Sequence, residues 1–267
     1  MNKHLFKNQI YDLLFKNKNM YYIYAFCIFF TLTHFLSQWG FLSLSKDNSV
    51  FYQLIGFNQF GIGMNVYVIF LPFISGFISS GIWSEDKSKN LNLLITTRMD
   101  WKQYINTSAI SSFVIGCFTG ILPILFHTWV VLMLYPINGS DIYNSFSLSY
   151  INSYIYHSSN IKLYFIYLFI WLIYSGVYSL MGFCFSLYID KKHVGKILPG
   201  TIHLLLWILL SRLNLLSNFS FQNLLGGNRM GFLNNSIKIS LAISLLLILI
   251  NSIAIRRKIN ECSILWV

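Results

Sequence analysis

The chain has 267 residues, of which 55% are hydrophobic, 18% aromatic and only 10% charged. A soluble domain carries roughly 25% charged residues, so this chain lacks the polar surface to cover a water-soluble globule. Its formal charge of +11 sits in short Lys/Arg clusters between apolar runs, which excludes nucleic acid as a partner and points to membrane orientation and anionic lipid headgroups.

In residues 1–20, Leu5, Phe6, Ile10, Leu13 and Leu14 fall on one helical face, with Lys3, Lys7, Asp12 and Lys16 largely elsewhere. That pattern predicts an amphipathic helix lying in the membrane interface. The first apolar run begins near Tyr21, is too long for a signal-peptide core and lacks a small-x-small cleavage site, so it reads as a retained span. Further apolar runs reach the length of about 18 residues or more that crosses roughly 30 Å of hydrocarbon as helix. Six spans are expected, at 21–39, 66–83, 109–135, 163–189, 197–213 and 237–255, in one all-α integral membrane domain. Trp39, Trp83, Trp129 and Tyr135 lie near their ends, where amphipathic rings prefer the interface.

The connection 84–108 is the most structured polar stretch. Ser84 is placed to cap a helix whose first turn carries Glu85 and Asp86, favourable at the positive end of the helix dipole. Leu91, Leu94 and Ile95 give that stretch an apolar face, and Asp100 with Gln103 has capping-box spacing for a helix leading into the third span. A mere connector has no use for the apolar face. Farther on, 214–236 is polar but holds Phe219, Phe221, Leu224, Leu225 and Phe232, which suggests a segment that dips back toward the membrane. Residues 256–267 form a tail.

Orientation follows from the basic residues. Lys3, Lys7, Lys16, Lys18, Lys87, Lys89, Arg98, Lys102, Lys191, Lys192, Lys196, Arg256, Arg257 and Lys258 fall on one side, fourteen in all. Lys46, Lys162, Arg212, Arg229 and Lys238, five residues, fall on the other. The fourteen-charge side, with both termini, is expected in the cytoplasm of a multi-pass protein of the cell membrane.

Several chemistries are missing from the sequence. All eight acidic residues (Asp12, Asp47, Glu85, Asp86, Asp100, Asp141, Asp190 and Glu261) lie outside the expected spans, against an ion-coupled carrier or an aspartyl intramembrane protease. His34, His127 and His203 lack metalloprotease spacing and read as interhelical hydrogen-bonding groups. There is no G-x-S-x-G elbow and no nucleotide-binding P-loop. Cys27, Cys117 and Cys184 read as apolar packing residues, and none of the four cysteines, Cys262 included, has metal or redox spacing. No catalytic, cofactor or metal residues are expected. Small residues recur instead: Gly116-x-x-x-Gly120 before Pro123, Gly76 and Ser80 after Pro72, and Gly182 with Ser186, spacings that let helices pack closely.

The interfacial first helix, six spans and the segment Glu85-Asp86-Lys87-Ser88-Lys89-Asn90-Leu91-Asn92-Leu93-Leu94-Ile95-Thr96-Thr97-Arg98 together resemble the permease subunit of an ABC-2 type transporter. Members often carry Gly near Ser88 or Lys89 and Pro near Thr97, and this chain has neither. The resemblance implies that 84–108 holds a coupling helix docking on a separate cytoplasmic ATPase, which binds the ATP and Mg, with Glu85, Asp86, Lys87, Lys89, Leu91, Leu94, Ile95 and Arg98 at the contact. It implies re-entrant helices in 214–236 and a second permease copy or a paralogue as partner, alongside membrane lipid. The implied substrate is a peptide, drug or lipid-linked molecule, and Phe35, Trp39, Phe73 and Phe77 are candidate linings of its path. The competing expectation is a non-transporting membrane immunity or assembly partner.

Overall fold

The computed structural model describes residues 2–38, 54, 62–79, 82–88, 100–135, 160–189, 191, 193–212 and 236–265, and the regular structure among them is entirely helical. Helix α1 spans Lys3–Tyr11 and continues through a π-helical turn, Asp12–Lys16. There follow α2 (Met20–Gln38), α3 (Gly63–Ser79), α4 (Ile82–Ser88), α5 (Trp101–Leu134), α6 (Asn160–Tyr188), α7 (Val194–Arg212) and α8 (Ser236–Leu265). Among the described residues five stretches are long and apolar enough to cross a membrane: Met20–Ser37, Asn65–Ser84, Trp101–Leu134, Tyr164–Tyr188 and Ile237–Glu261. The expected fifth span corresponds to α7, whose apolar stretch, Val194–Leu210, is shorter than these.

Local chemistry sets the helix ends. Asn2 caps α1, its side-chain oxygen accepting from His4 N at 3.1 Å and Leu5 N at 3.2 Å. Asn17 leaves the helical region, and its side chain accepts from Asn19 N at 2.9 Å, so the chain turns before α2 starts. Asp100 caps α5 as its sequence position predicts, accepting from Lys102 N at 3.3 Å. The helix it starts runs without interruption to Leu134. Ser84 departs from expectation. It lies inside α4 rather than at its cap, because the helix already includes Ile82 and Trp83, whose buried side chains pack with Tyr104 and Ile105. Tertiary packing has overridden the local capping preference. The tail also differs: α8 continues to Leu265, with Ile255 and Ile259 buried on one face and Arg257 paired with Glu261 at 3.2 Å on another.

Helix α6 is the centre of the bundle, packing against α3, α4, α5, α7 and α8. Among the described residues three apolar clusters fill the interior. One joins Phe30, Tyr67, Leu71, Ile124, Tyr167, Trp171 and Tyr174. A second, at the other end of α5 and α6, joins Trp83, Tyr104, Ile105, Phe183, Leu187 and Ile259. The third joins Met20, Ile23, Cys27, Ile74 and Ile115, with Ile10, Leu13 and Leu14 of the amphipathic segment laid against it.

Polarity runs opposite to that of a soluble bundle. Ser108, Ser111, Ser112, Thr119, Ser175, Ser179 and Ser240 are fully buried, while Leu245, Leu246, Leu249, Ile250 and Ile253 of α8 face outward. The outward side chains of α2, among them Ile28, Phe29, Leu32 and Leu36, are apolar as well. Polar groups facing other helices and hydrocarbon facing out is the arrangement a bilayer favours.

The tightest crossing is between α5 and α6. A Cβ added at Gly116 would collide with the Ser179 side chain, and one at Gly120 with that of Ser175. Gly116 and Gly120 thus meet a second small pair with the same four-residue spacing. Across this crossing Ser179 Oγ donates to the Ser112 carbonyl at 2.7 Å, and Ser112 Oγ to the Ser179 carbonyl at 3.2 Å. Prolines contribute differently. Pro72, inside α3, has no N–H to offer the carbonyl of Val68. His203 of α7 hydrogen-bonds the backbone at Val68 and meets Tyr178 Oη of α6 through Nδ1 at 2.7 Å. One imidazole therefore ties three helices, the interhelical role expected for it.

Candidate functional site

The connection expected to hold the coupling helix is described at both of its ends. At the first, Trp83 and Ile82 are buried, Asp86 is half-buried and Lys87 is exposed. At the second, α5 begins with Trp101 and Tyr104. The ring centroids of Trp83 and Trp101 lie 4.9 Å apart edge-on, and Tyr104 lies 6.1 and 5.9 Å from them. Tyr104 Oη donates to Asp86 Oδ2, closing the joint with a charge-assisted hydrogen bond.

From Tyr104 a polar line continues along one face of α5 to the N-terminal helix. Ser108, one turn on, interacts with the Tyr104 hydroxyl and accepts from Gln9 Nε2 at 2.9 Å. Gln9 Oε1 in turn accepts from Ser111 Oγ at 2.8 Å, and Asn2 N donates to Thr107 Oγ1 at 3.4 Å. The amphipathic helix is thereby hydrogen-bonded to the same stretch of α5 that holds Asp86. At its far end Lys16 pairs with Asp12 at 2.9 Å, and this bond raises the lysine's pKa above its ordinary value.

Of the residues assigned to ATPase contact, Asp86 faces the protein's own Tyr104 and Lys87 faces outward. Lys89, Leu91, Leu94, Ile95 and Arg98 lie outside the described residues, as does the Glu85 side chain. Tyr104, Trp101 and Gln9 were not singled out from the sequence. Asp86 and Tyr104 are eighteen residues apart, and no periodicity links them.

The candidate path residues fall into two groups. Phe35 is half-buried in the first cluster, its ring centroid 5.4 Å from that of His127. His127 is itself 4.7 Å from His34, and both imidazoles are fully buried. Phe73 lies directly over Gly200 of α7. Phe77 packs edge-on with Tyr22 at 5.8 Å and lies 5.6 Å under Lys196 Nζ. Phe73 and Phe77 thus share the face of α3 that meets α7, whereas Phe35 belongs to the α2–α5 side. Trp39 and the segment 214–235 lie outside the described residues.

Among the described residues no cluster of three or more His, Cys, Asp or Glu side chains is placed to hold a metal ion. Cys27, Cys117 and Cys184 are buried free thiols. A groove of about 490 Å³ opens between α5 and α8, floored by Leu180 of α6. No protein-family model, no curated protein and no solved structure matches the chain.

Proposed function

We propose that this chain is the membrane-spanning subunit of an ABC-2 type exporter, with α7 as its fifth of six spans and both termini in the cytoplasm. It moves a peptide, drug or lipid-linked molecule across the cell membrane using ATP hydrolysed on a separate subunit, and pairs with a second permease chain.

The observation that carries this reading is the joint between Asp86 and Tyr104. It clamps the start of the 84–108 connection to the start of α5, on a buried aromatic platform of Trp83, Trp101 and Tyr104. A connection clamped at both ends transmits force into α5 in a way that a slack linker does not. The continuous helix Trp101–Leu134 then carries displacement through the bundle to Gly116 and Gly120, where α5 crosses α6.

The test is purification from native membrane in mild detergent. An ATPase of the ABC class should co-purify with the chain, and the chain freed of it should hydrolyse no ATP. Recovery of the chain with no ATPase, under conditions that preserve its helicity, would count against the proposal.

A further inference from the structure

The groove between α5 and α8 has walls of defined chemistry. Asn106, Ala109, Ile110 and Phe113 of α5 are spaced on one helical face, and Ile248, Ser252, Ile255 and Arg256 of α8 on another. The two helices run in opposite senses past Leu180, so Arg256 and Asn106 stand at one end and Ile248 and Phe113 at the other. Seven residues of helix make the groove about 10 Å long. It is polar at its mouth and apolar in its depth.

The cation at the mouth is set apart from its neighbours. Arg257 and Lys258 both pair with Glu261, at 3.2 and 3.5 Å. Arg256 lines the groove instead, and among the described residues no carboxylate meets it. It stands near the end of the apolar stretch Ile237–Glu261, where a helix spanning a bilayer would pass from hydrocarbon to headgroups. A guanidinium is suited to bidentate binding of a phosphate.

We infer that this groove binds an anionic phospholipid from the leaflet on the Lys/Arg-rich side, its phosphate on Arg256 with Asn106 and Ser252, and an acyl chain along Ile110, Phe113, Leu180 and Ile248. A soluble anion has no use for the apolar depth of the groove. A zwitterionic lipid leaves the charge of Arg256 only partly answered. The inference rests on α5 and α8 lying in a bilayer and is independent of any ATPase partner.

The chain is purified in mild detergent with equimolar phosphatidylglycerol and phosphatidylcholine, and bound lipid is counted by native mass spectrometry. Wild type should retain phosphatidylglycerol over phosphatidylcholine by about fivefold, the factor that one cation near an anionic surface supplies. Arg256→Gln should bring the ratio near one, while Arg257→Gln, changing a residue paired with Glu261, should leave it intact. Ile110→Trp, which fills the groove without touching the charge, should lower retention of both lipids. Should Arg256→Gln fail to fold, Ile110→Trp and Arg257→Gln decide the matter. Undiminished phosphatidylglycerol retention in Arg256→Gln or Ile110→Trp overturns the inference. So does displacement of the lipid by glycerol phosphate at equal concentration, which would mark a site for soluble anions. Spontaneous cross-linking of Ile110→Cys with Ile248→Cys between two copies would overturn it too, by showing that a second chain covers the groove.

Discussion

Tyr104 donates a hydrogen bond to Asp86, and this contact fastens α4 to the first turn of α5. An aspartate expected to face a partner protein is held instead by its own chain. Its charge ties the end of α4 to α5, and Lys87 beside it is left exposed.

Removing the donor should therefore loosen the joint without disturbing the apolar platform. Tyr104→Phe keeps the ring against Trp83 and Trp101 but removes the hydroxyl that donates to the carboxylate of Asp86. A hydrogen bond to a charged group contributes about 1.5–3 kcal/mol, and a loss in that range is expected in denaturant titrations in detergent. On the proposed exporter function, ATPase stimulation by the reconstituted complex should fall as well. A Tyr104→Phe protein with wild-type stability and full stimulation would show that the joint is incidental.

What the sequence makes legible here is whatever repeats along one helix. Leu5, Ile10, Leu13 and Leu14 lie on a single face by spacing alone, and that is the face packed on the bundle. Asp100 is readable as a cap because its partner is two residues away. Gly116 and Gly120 are visible as a close-packing pair, but the answering pair, Ser175 and Ser179, gains its meaning only from the crossing of α5 and α6. The same holds for Asp86 and Tyr104, for Gln9 and Ser108, and for Arg256 in its groove. Ser84 misleads for the converse reason: its local signal is sound, but buried Trp83 extends the helix past it.

The α5–α6 crossing offers a compensating pair. Gly120→Ala would drive its new methyl into the Ser175 side chain and should destabilise the bundle by about 1–3 kcal/mol. Among the described residues Ser175 donates to carbonyls of its own helix, Trp171 and Leu172, so Ser175→Gly frees space while losing no bond across the crossing of α5 and α6. The double variant should be more stable than the two single changes sum to, by roughly 1 kcal/mol or more in a double-mutant cycle. Strict additivity would mean that the helices do not meet at this point.

His203 gives a second non-additive pair. His203→Leu leaves the Tyr178 hydroxyl and the Val68 backbone without the imidazole, at about 1–3 kcal/mol for each buried group. Pro72→Ala supplies α3 with the N–H that proline lacks, giving the Val68 carbonyl an intrahelical donor. In that background His203→Leu should cost measurably less. An equal cost in both backgrounds would show that Val68 does not depend on His203.

Topology is open to direct labelling. In a background without the native cysteines, single cysteines at Asn48 and Asn223 should react with an impermeant maleimide applied from outside. Those at Lys89 and Lys192 should react only after the membrane is opened. Equal reactivity of both sets from one face would remove the arrangement of six spans with both termini inside.

The remaining prediction concerns the middle of the 84–108 connection. If the clamp between Asp86 and Tyr104 holds a docking element in place, that element needs apolar anchors, and the spacing of Leu91, Leu94 and Ile95 would put them on one face of a helix formed there. Interfaces draw most of their energy from a few desolvated anchors. Burial of one leucine side chain contributes on the order of 1.5–3 kcal/mol, so replacing both Leu91 and Leu94 by Ser should weaken ATPase binding by roughly 100-fold or more. The flanking charges Lys87, Lys89 and Arg98 should change the rate of association and its salt dependence more than the lifetime of the complex. The double variant should insert normally and melt as wild type does, because the buried platform of Trp83, Trp101 and Tyr104 is left untouched. ATPase co-purification and export should be lost together. Normal ATPase recovery with the double variant would place the docking surface elsewhere, while loss of insertion would show that these leucines serve the membrane interface instead.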